Sequence, residues 1–201
     1  MNLRKGETAQ EVWFKGKRYT LDMSYDTVLL VQQLYGDERL ENSDKIDRAL
    51  KLLIKSRFKL WLLGDLDRVK LLEKITDIHI AAKRRPQVSD SPKLMDFLHD
   101  RGFIYASFQQ AYGIDLMAEC GRMSWRRFLD LLDGVPDNTK IREVMRIRAM
   151  EIPEPTRTNR KEIQNILRLK SYYALPVSGG GGREGLNLLF ETLEKGARRI
   201  G

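Results

Sequence analysis

The sequence is poor in the residues on which disulfides, metal sites and membrane spans depend. Its 201 residues include one cysteine and two histidines, and no apolar run approaches the roughly 18 residues that a membrane-spanning helix needs. The lone thiol of Cys120 cannot close an intramolecular disulfide, which fits a reducing compartment. Residues 1–6 lack the apolar core of a secretory signal. We therefore expect a cytosolic protein that has no membrane partner.

Basic residues outnumber acidic residues by 36 to 28, which gives a net charge of +8. Such a field could attract nucleic acid or an acidic protein surface. The densest basic cluster lies late in the chain and consists of Arg142, Arg146, Arg148, Arg157, Arg160, Lys161, Arg168 and Lys170. Elsewhere both signs mix along the predicted helices, which is typical of solvated faces. This mixing favours ordinary solvated surface, and a basic nucleic-acid-binding module stays open as an alternative.

Few side chains could carry chemistry. Asp96, His99 and Asp100 fall three and four residues apart, so a helix could present them together to a metal ion, although an exposed polar face has the same spacing. Cys120 has no nucleophile signature around it, and a half-buried structural side chain is the expectation. The glycines at 179–182 lack the Lys-Ser/Thr ending of a phosphate-binding loop. We predict a protein that is not an enzyme and needs no cofactor or metal.

Hydrophobic periodicity predicts a mainly α fold, in which a helical domain follows a short N-terminal β-hairpin and a tethered amphipathic helix ends the chain. The hairpin signal is a turn at Lys15-Gly16-Lys17 between alternating apolar residues, namely Val12, Phe14, Tyr19 and Leu21. Breaks in the pattern divide the chain into four regions: 1–85 (hairpin and helices), 94–176 (a second helical group), 177–183 (a Gly-rich linker) and 184–201 (a C-terminal helix).

Within the first region, the spacing predicts three helices. The first runs over 25–35, with Ser24 as N-cap and Gly36 as stop. The second is capped by Ser43 and has its apolar residues at helical spacing, namely Ile46, Leu50, Leu53, Ile54 and Trp61. The third follows a break at 64–65 and has a single apolar side, formed by Leu66, Val69, Leu72, Ile75 and Ala82.

The second region contains a group of aromatic and apolar residues at helical spacing. Aromatic side chains beside Arg126 and Arg127 could stack on nucleic-acid bases, but aromatics interleaved with leucines favour a packed core. We predict that one core is built by Phe108, Tyr112, Trp125, Phe128 and Leu132. We further expect Gly113 and Gly134 to end helices, and Ser124 and Asn159 to begin them, the latter in a capping box with Glu162.

Several spaced motifs of this region resemble the gene-product-fifteen family of tailed phages. They occur in the family's order and are IYASFQQAYGIDL at 104–116, MSWRRF at 123–128, LLDGVPD at 131–137, KIREVM at 140–145 and LKSYYAL at 169–175. The start of the hairpin is also similar, so the resemblance covers most of the chain up to about Pro176 and is weakest over 57–93. Among these motifs, we single out as structural positions Phe108, Tyr112, Gly113, Asp115, Trp125, Phe128, Leu132 and Gly134. One departure is Arg126, where the family tends to carry a second aromatic residue.

The resemblance implies a role in assembly and no reaction. Family genes lie between those of the major tail protein and the tape-measure protein, which is the position of tail-assembly chaperones. The implied partners are the phage tape-measure protein and the tail-tube protein, and the implied location is the host-cell cytoplasm, with the protein absent from the mature virion. A structural connector component of the virion is the other alternative. Long tape-measure helices expose apolar stripes that would aggregate if nothing covered them.

The C-terminal region carries a separate signal for interaction. Residues 184–199 place large apolar side chains at steps of three and four, namely Leu186, Leu189, Phe190 and Leu193. We predict that these residues, together with Arg126, contact a partner. The glycine linker before them would let the helix dock on its own domain, on another copy to form a homo-oligomer, or on a tail protein.

Overall fold

The computed structural model describes residues 9–80, 93–156 and 158–176 of the chain. Among these residues, 9–80 and 119–129 form one compact unit, and 93–118, 130–156 and 158–176 form a second. The predicted boundary between 85 and 94 falls almost wholly within residues 81–92, which lie outside the described residues. Residues 119–129 lie in the first unit, although the sequence division places them in the region 94–176. The predicted linker 177–183 and helix 184–201 lie outside the described residues.

The described chain is mainly helical, which confirms the predicted fold class. In chain order its elements are β1 (Ala9–Phe14), β2 (Lys17–Asp22), α1 (Tyr25–Tyr35), α2 (Asn42–Leu53), a 3-10 helix (Arg57–Leu62), α3 (Asp65–Ile75), a π-helical turn (Thr76–Ile80), α4 (Arg101–Tyr112), α5 (Trp125–Asp133), α6 (Lys140–Ala149) and α7 (Arg160–Tyr172). The first seven of them, together with residues 125–129 of α5, belong to the first unit.

The β-hairpin is antiparallel and closes with a two-residue turn. Lys15 and Gly16 both have positive φ, at 46° and 70°, which matches the twist of tight hairpins. Val12 and Tyr19 face each other across the strands and are buried. The backbone N–H of Lys55 donates to the carbonyl of Thr20 at 3.0 Å, so the hairpin is fastened to the chain that leaves α2. This contact supplies the packing that an isolated hairpin needs.

The second predicted helix ends earlier than its apolar spacing suggested. α2 stops at Leu53, and Ile54 is extended, with φ −105° and ψ 119°, where it forms a bridge with Leu21. Pairing with the hairpin therefore replaces further helical turns. Trp61 lies in the separate 3-10 helix, and its predicted place on the apolar side of the second helix is wrong.

The side chains of α3 and the helix caps also depart from the predictions in part. Leu72 and Ile75 are fully buried as expected, whereas Leu66 is 56% exposed. α2 begins at Asn42, so the predicted cap at Ser43 is wrong. Asn159 does precede α7, but its side chain accepts from the backbone of Thr156 and makes no capping bond to the helix. The predicted capping box is therefore absent.

An aromatic stack organises the first unit around α1 and the start of α5. The ring of Phe128 lies between those of Tyr25 and Trp125, with centroid distances of 5.0 and 5.5 Å and nearly parallel planes. The indole N–H of Trp125 donates to the carbonyl of Ile80 at 3.2 Å. Ser124 caps α5 as predicted, because its hydroxyl accepts from the backbone N–H of Arg127. Trp125 is thus a core residue.

The second unit consists of α4, α6, α7 and the end of α5. Ser107 joins the first two of these helices: its hydroxyl accepts from the backbone N–H of Ile141 and donates to the carbonyl of Phe103. α4 ends at Gly113, which has a left-handed φ of 64°, and α5 ends immediately before Gly134. Both predicted helix stops are therefore confirmed, and the first satisfies the geometry of a C-terminal glycine cap.

Candidate protein-binding surface

The 3-10 helix Arg57–Leu62 sorts its side chains into rows with a period of three. Residues three apart eclipse each other in this helix type, so Leu60 and Leu63, just beyond its end, form one row and Phe58 and Trp61 another. The leucine row is buried against the first unit. The aromatic row points away from it. The segment 57–63 therefore exposes its two aromatic side chains and buries two of its leucines.

Four large apolar side chains close together in the chain are exposed at this place. The exposed fractions are 81% for Phe58, 85% for Trp61, 63% for Leu62 and 56% for Leu66. We call these four residues the Trp61 surface. Single exposed apolar residues are ordinary, but four within nine positions make this segment a candidate interaction site.

Buried and charged groups hold the Trp61 surface in place from behind. The guanidinium of Arg68 donates to the carbonyls of Leu60 and Leu63, and it pairs with the carboxylate of Asp47 at 2.6 Å. The ammonium of Lys59 donates to the carbonyl of Arg18 at 2.7 Å. The 3-10 helix is thereby tied to α2, α3 and the hairpin. A binding surface that is already ordered loses less entropy when a partner docks.

The surroundings of the Trp61 surface are positively charged. Between Asp47 and Asp65 the chain has five cationic residues and no acidic residue. Lys55 and Arg57 are exposed, and neither has an ion-pair partner among the residues that the structure describes. Of the carboxylates that border this stretch in the chain, Asp47 pairs with Arg68 and Asp67 with Lys15, whereas Asp65 is exposed. The surface therefore combines exposed aromatic groups with an excess of positive charge in the surrounding sequence.

The predicted motif residues are mostly structural. Phe108, Trp125, Phe128 and Leu132 are buried, and Tyr112 is half-buried, with its hydroxyl donating to the carbonyl of Leu131 at 2.8 Å. The predicted core is divided by unit: Trp125 and Phe128 stack in the first unit, and Phe108 and Tyr112 pack edge to face in the second. Asp115 is exposed and accepts from the hydroxyl of Tyr105.

The predicted partner-binding residues are less informative. Arg126 is exposed on α5. The other candidates, Leu186, Leu189, Phe190 and Leu193, lie outside the described residues. Their role as partner contacts stays a prediction.

The candidate metal ligands are committed to other bonds. Asp100 is fully buried in an ion pair with Arg148, and Asp96 accepts from the backbone N–H groups of Leu98 and His99. Within the described ranges, no group of three potential ligands could hold a metal ion.

Two further expectations from the sequence concern Cys120 and the late basic cluster. Cys120 is exposed, which corrects the expectation of a half-buried thiol. In the basic cluster, Arg148 is buried, and Arg142 and Lys170 donate to backbone carbonyls within the second unit. These three cations are therefore used in holding the fold and offer little to nucleic acid.

The sequence matches the family described as Bacteriophage Gp15 protein over residues 8–175. The chain belongs to this family. No curated protein and no solved structure matches it. The Gp15 match includes the hairpin, the 3-10 helix and the seven α-helices of the described ranges, so it covers both units. It identifies a bacteriophage protein and suggests a structural or assembly role.

Sequence reasoning missed the surface of this Gp15 protein that is most suited to binding. The apolar spacing places Trp61 and Leu66 on the apolar sides of two predicted helices, and it gives Phe58 no role. The available signal was the segment RFKLWLL, in which a period of three separates two leucines from two aromatics, within a stretch free of acidic residues.

None of the described helices is long and apolar enough to cross a membrane.

Proposed function

We propose that this Gp15 protein is a non-enzymatic tail-assembly chaperone that binds the phage tape-measure protein, the tail-tube protein or both. The observation that carries the proposal is the Trp61 surface, because an assembly protein needs an exposed apolar area that a partner can cover. Family membership adds the phage context.

The energetics of the Trp61 surface suit a reversible client. Burying four large apolar side chains contributes about 6–12 kcal/mol before the costs of association. Ordering and lost translational freedom offset much of this gain. The net binding free energy then suits a complex that forms during assembly and dissociates when the client enters the tail. Such a complex agrees with the proposal that the protein acts in the host cytoplasm and is absent from the virion.

Coexpression with the phage's own tail proteins tests the proposal. We expect the tape-measure protein to stay in the soluble fraction with the parent chain and to become insoluble with the Phe58→Ala/Trp61→Ala double variant. Leu30→Ala is the matched control, since Leu30 is 50% exposed on α1 and lies outside the Trp61 surface. If the soluble amounts of tape-measure and tail-tube protein do not depend on the double substitution, the proposed client surface is wrong.

Mass spectrometry of purified phage particles separates a chaperone from a connector. A chaperone is absent from the particle, whereas stoichiometric protein in the virion would assign this chain to the structural class.

A second candidate function, nucleic-acid binding, is favoured by one observation: cations flank exposed aromatic rings at the Trp61 surface. Salt-dependent binding of single-stranded DNA that is lost in Trp61→Ala would support that alternative.

A further inference from the structure

The Trp61 surface has features that restrict the chemistry of its partner. We propose that it binds an amphipathic α-helix of another protein whose apolar side is flanked by glutamate or aspartate. This inference rests on the proposed function, because it describes the client segment that the same surface would select.

Spacing along the 3-10 helix is compatible with a helical partner. Phe58 and Trp61 are three residues apart, and at about 2 Å rise per residue their side chains start about 6 Å apart. One turn of an α-helix advances by about 5.4 Å, and residues four apart are about 6 Å apart. Apolar side chains on successive turns of a partner helix can therefore contact the two rings in step, as in other helix-binding sites.

The aliphatic part of the surface argues for a protein and against nucleic acid. Leu62 and Leu66 are also exposed, and they are close to Phe58 and Trp61 in the chain. Bases gain by stacking on flat rings and by phosphate contacts to cations, and branched aliphatic side chains offer neither. A helix with leucine, isoleucine or methionine on one side would cover all four residues.

Charge then selects acidic flanks. Lys55 and Arg57 are exposed without an ion-pair partner among the described residues, and the stretch from 48 to 64 holds no acidic residue. A partner with lysines beside its apolar side would place like charges together, whereas glutamates would pair with the free cations. Because these cations are solvent-exposed, the preference should weaken as salt increases.

Peptide binding to the full-length protein tests the inference directly. Two synthetic helical peptides share leucines at alternating steps of three and four, and they differ only in having glutamate or lysine at the flanking positions. We expect fluorescence anisotropy at low salt to show at least about ten-fold tighter binding of the glutamate peptide, with the difference shrinking at high salt. Trp61→Ala should weaken this binding by about ten-fold or more, and Leu30→Ala should leave it unchanged.

Charge reversal supplies the matched control. Lys55→Glu/Arg57→Glu should reverse the preference, so that the lysine peptide binds more tightly. Lys161→Glu/Arg168→Glu on α7 makes the same change in net charge and should keep the original preference. Equal binding of both peptides to the parent, or a preference that both double variants change equally, overturns the inference.

The remaining occupants are distinguished in the same assay. If a single-stranded oligonucleotide binds the Trp61 surface more tightly than the glutamate peptide does, the partner is nucleic acid and not a helix. If a peptide with the sequence of residues 184–199 binds more tightly than the glutamate peptide, the surface binds this chain's own C-terminal segment. Either result is contrary to the inference. If the protein prefers the glutamate peptide but does not keep the tape-measure protein soluble, the inferred preference for an acidic helix is correct and the proposed client is wrong.

Discussion

Arg148 and Asp100 form a bidentate ion pair in the interior of the second unit. The two guanidinium nitrogens lie 2.6 and 2.7 Å from the two carboxylate oxygens, and the side chains are 6% and 0% exposed. Arg148 also donates to the carbonyls of Leu94 and Tyr173, so one side chain fastens the chain before α4 and the end of α7 to α6. Asp100 accepts a further bond from the backbone N–H of Asp96. The pair is therefore the polar centre of this unit.

Removing one member of the pair should destabilise the protein strongly. Asp100→Ala leaves the Arg148 charge buried without its counter-ion, and we expect the free energy of unfolding to fall by about 3–5 kcal/mol in urea titrations. Asp37→Ala is the control, because its ion pair with Arg39 lies at the surface and should contribute much less to stability than the buried pair. Similar losses in the two variants would contradict the role given to the buried pair.

Substitution by alanine should destabilise the protein strongly at Trp125 and hardly at all at Trp61. Trp125 is 3% exposed and stacked on Phe128, so Trp125→Ala should lower the free energy of unfolding by about 3–5 kcal/mol. Trp61 is 85% exposed, and Trp61→Ala should change it by less than about 0.5 kcal/mol. Thermal and urea unfolding measure both. A large loss with Trp61→Ala would mean that its ring supports the fold.

Two glycines of α4 should also respond in opposite directions. Gly113 has a positive φ, so Gly113→Ala should cost about 1 kcal/mol from backbone strain. Gly102 lies in the first turn, and a Cβ there would meet no atom within 4 Å. Gly102→Ala should therefore stabilise the protein by about 0.5 kcal/mol. Differential scanning calorimetry of the two variants beside the parent checks the sign, and equal shifts would refute this account of the helix end.

His79 should make the first unit sensitive to mild acid. Burial lowers the pKa of its imidazole below the ordinary value of 6.5, although a bond to the backbone of Glu11 opposes this shift. Below that value the unfolded chain binds a proton more readily than the folded chain, so the stability due to neutral His79 is present above about pH 6.5 and is lost as the pH falls. His79→Gln should flatten the dependence of the melting temperature on pH as the pH falls below about 6.5. An unchanged slope in His79→Gln would show that other groups cause the pH dependence.

Much of the architecture could be derived from the sequence because it depends on local rules. Apolar spacing and stop residues predicted α1 and α4, and the turn at Lys15-Gly16 set the register of the hairpin. The left-handed φ of Gly113 follows from the freedom of glycine at a helix end. Spaced motifs also indicated the phage family, which the match over residues 8–175 confirms.

Only the tertiary structure decided which apolar residues are buried and which polar residues are paired. Trp61 fits an α-helical period from Ile54, but the bridge between Leu21 and Ile54 ends that helix and turns the tryptophan outward. Asp100 has the spacing of a metal ligand, yet its partner Arg148 is 48 positions away in the chain. Periodicity describes one element at a time, whereas exposure and ion pairing depend on what the rest of the chain places against that element.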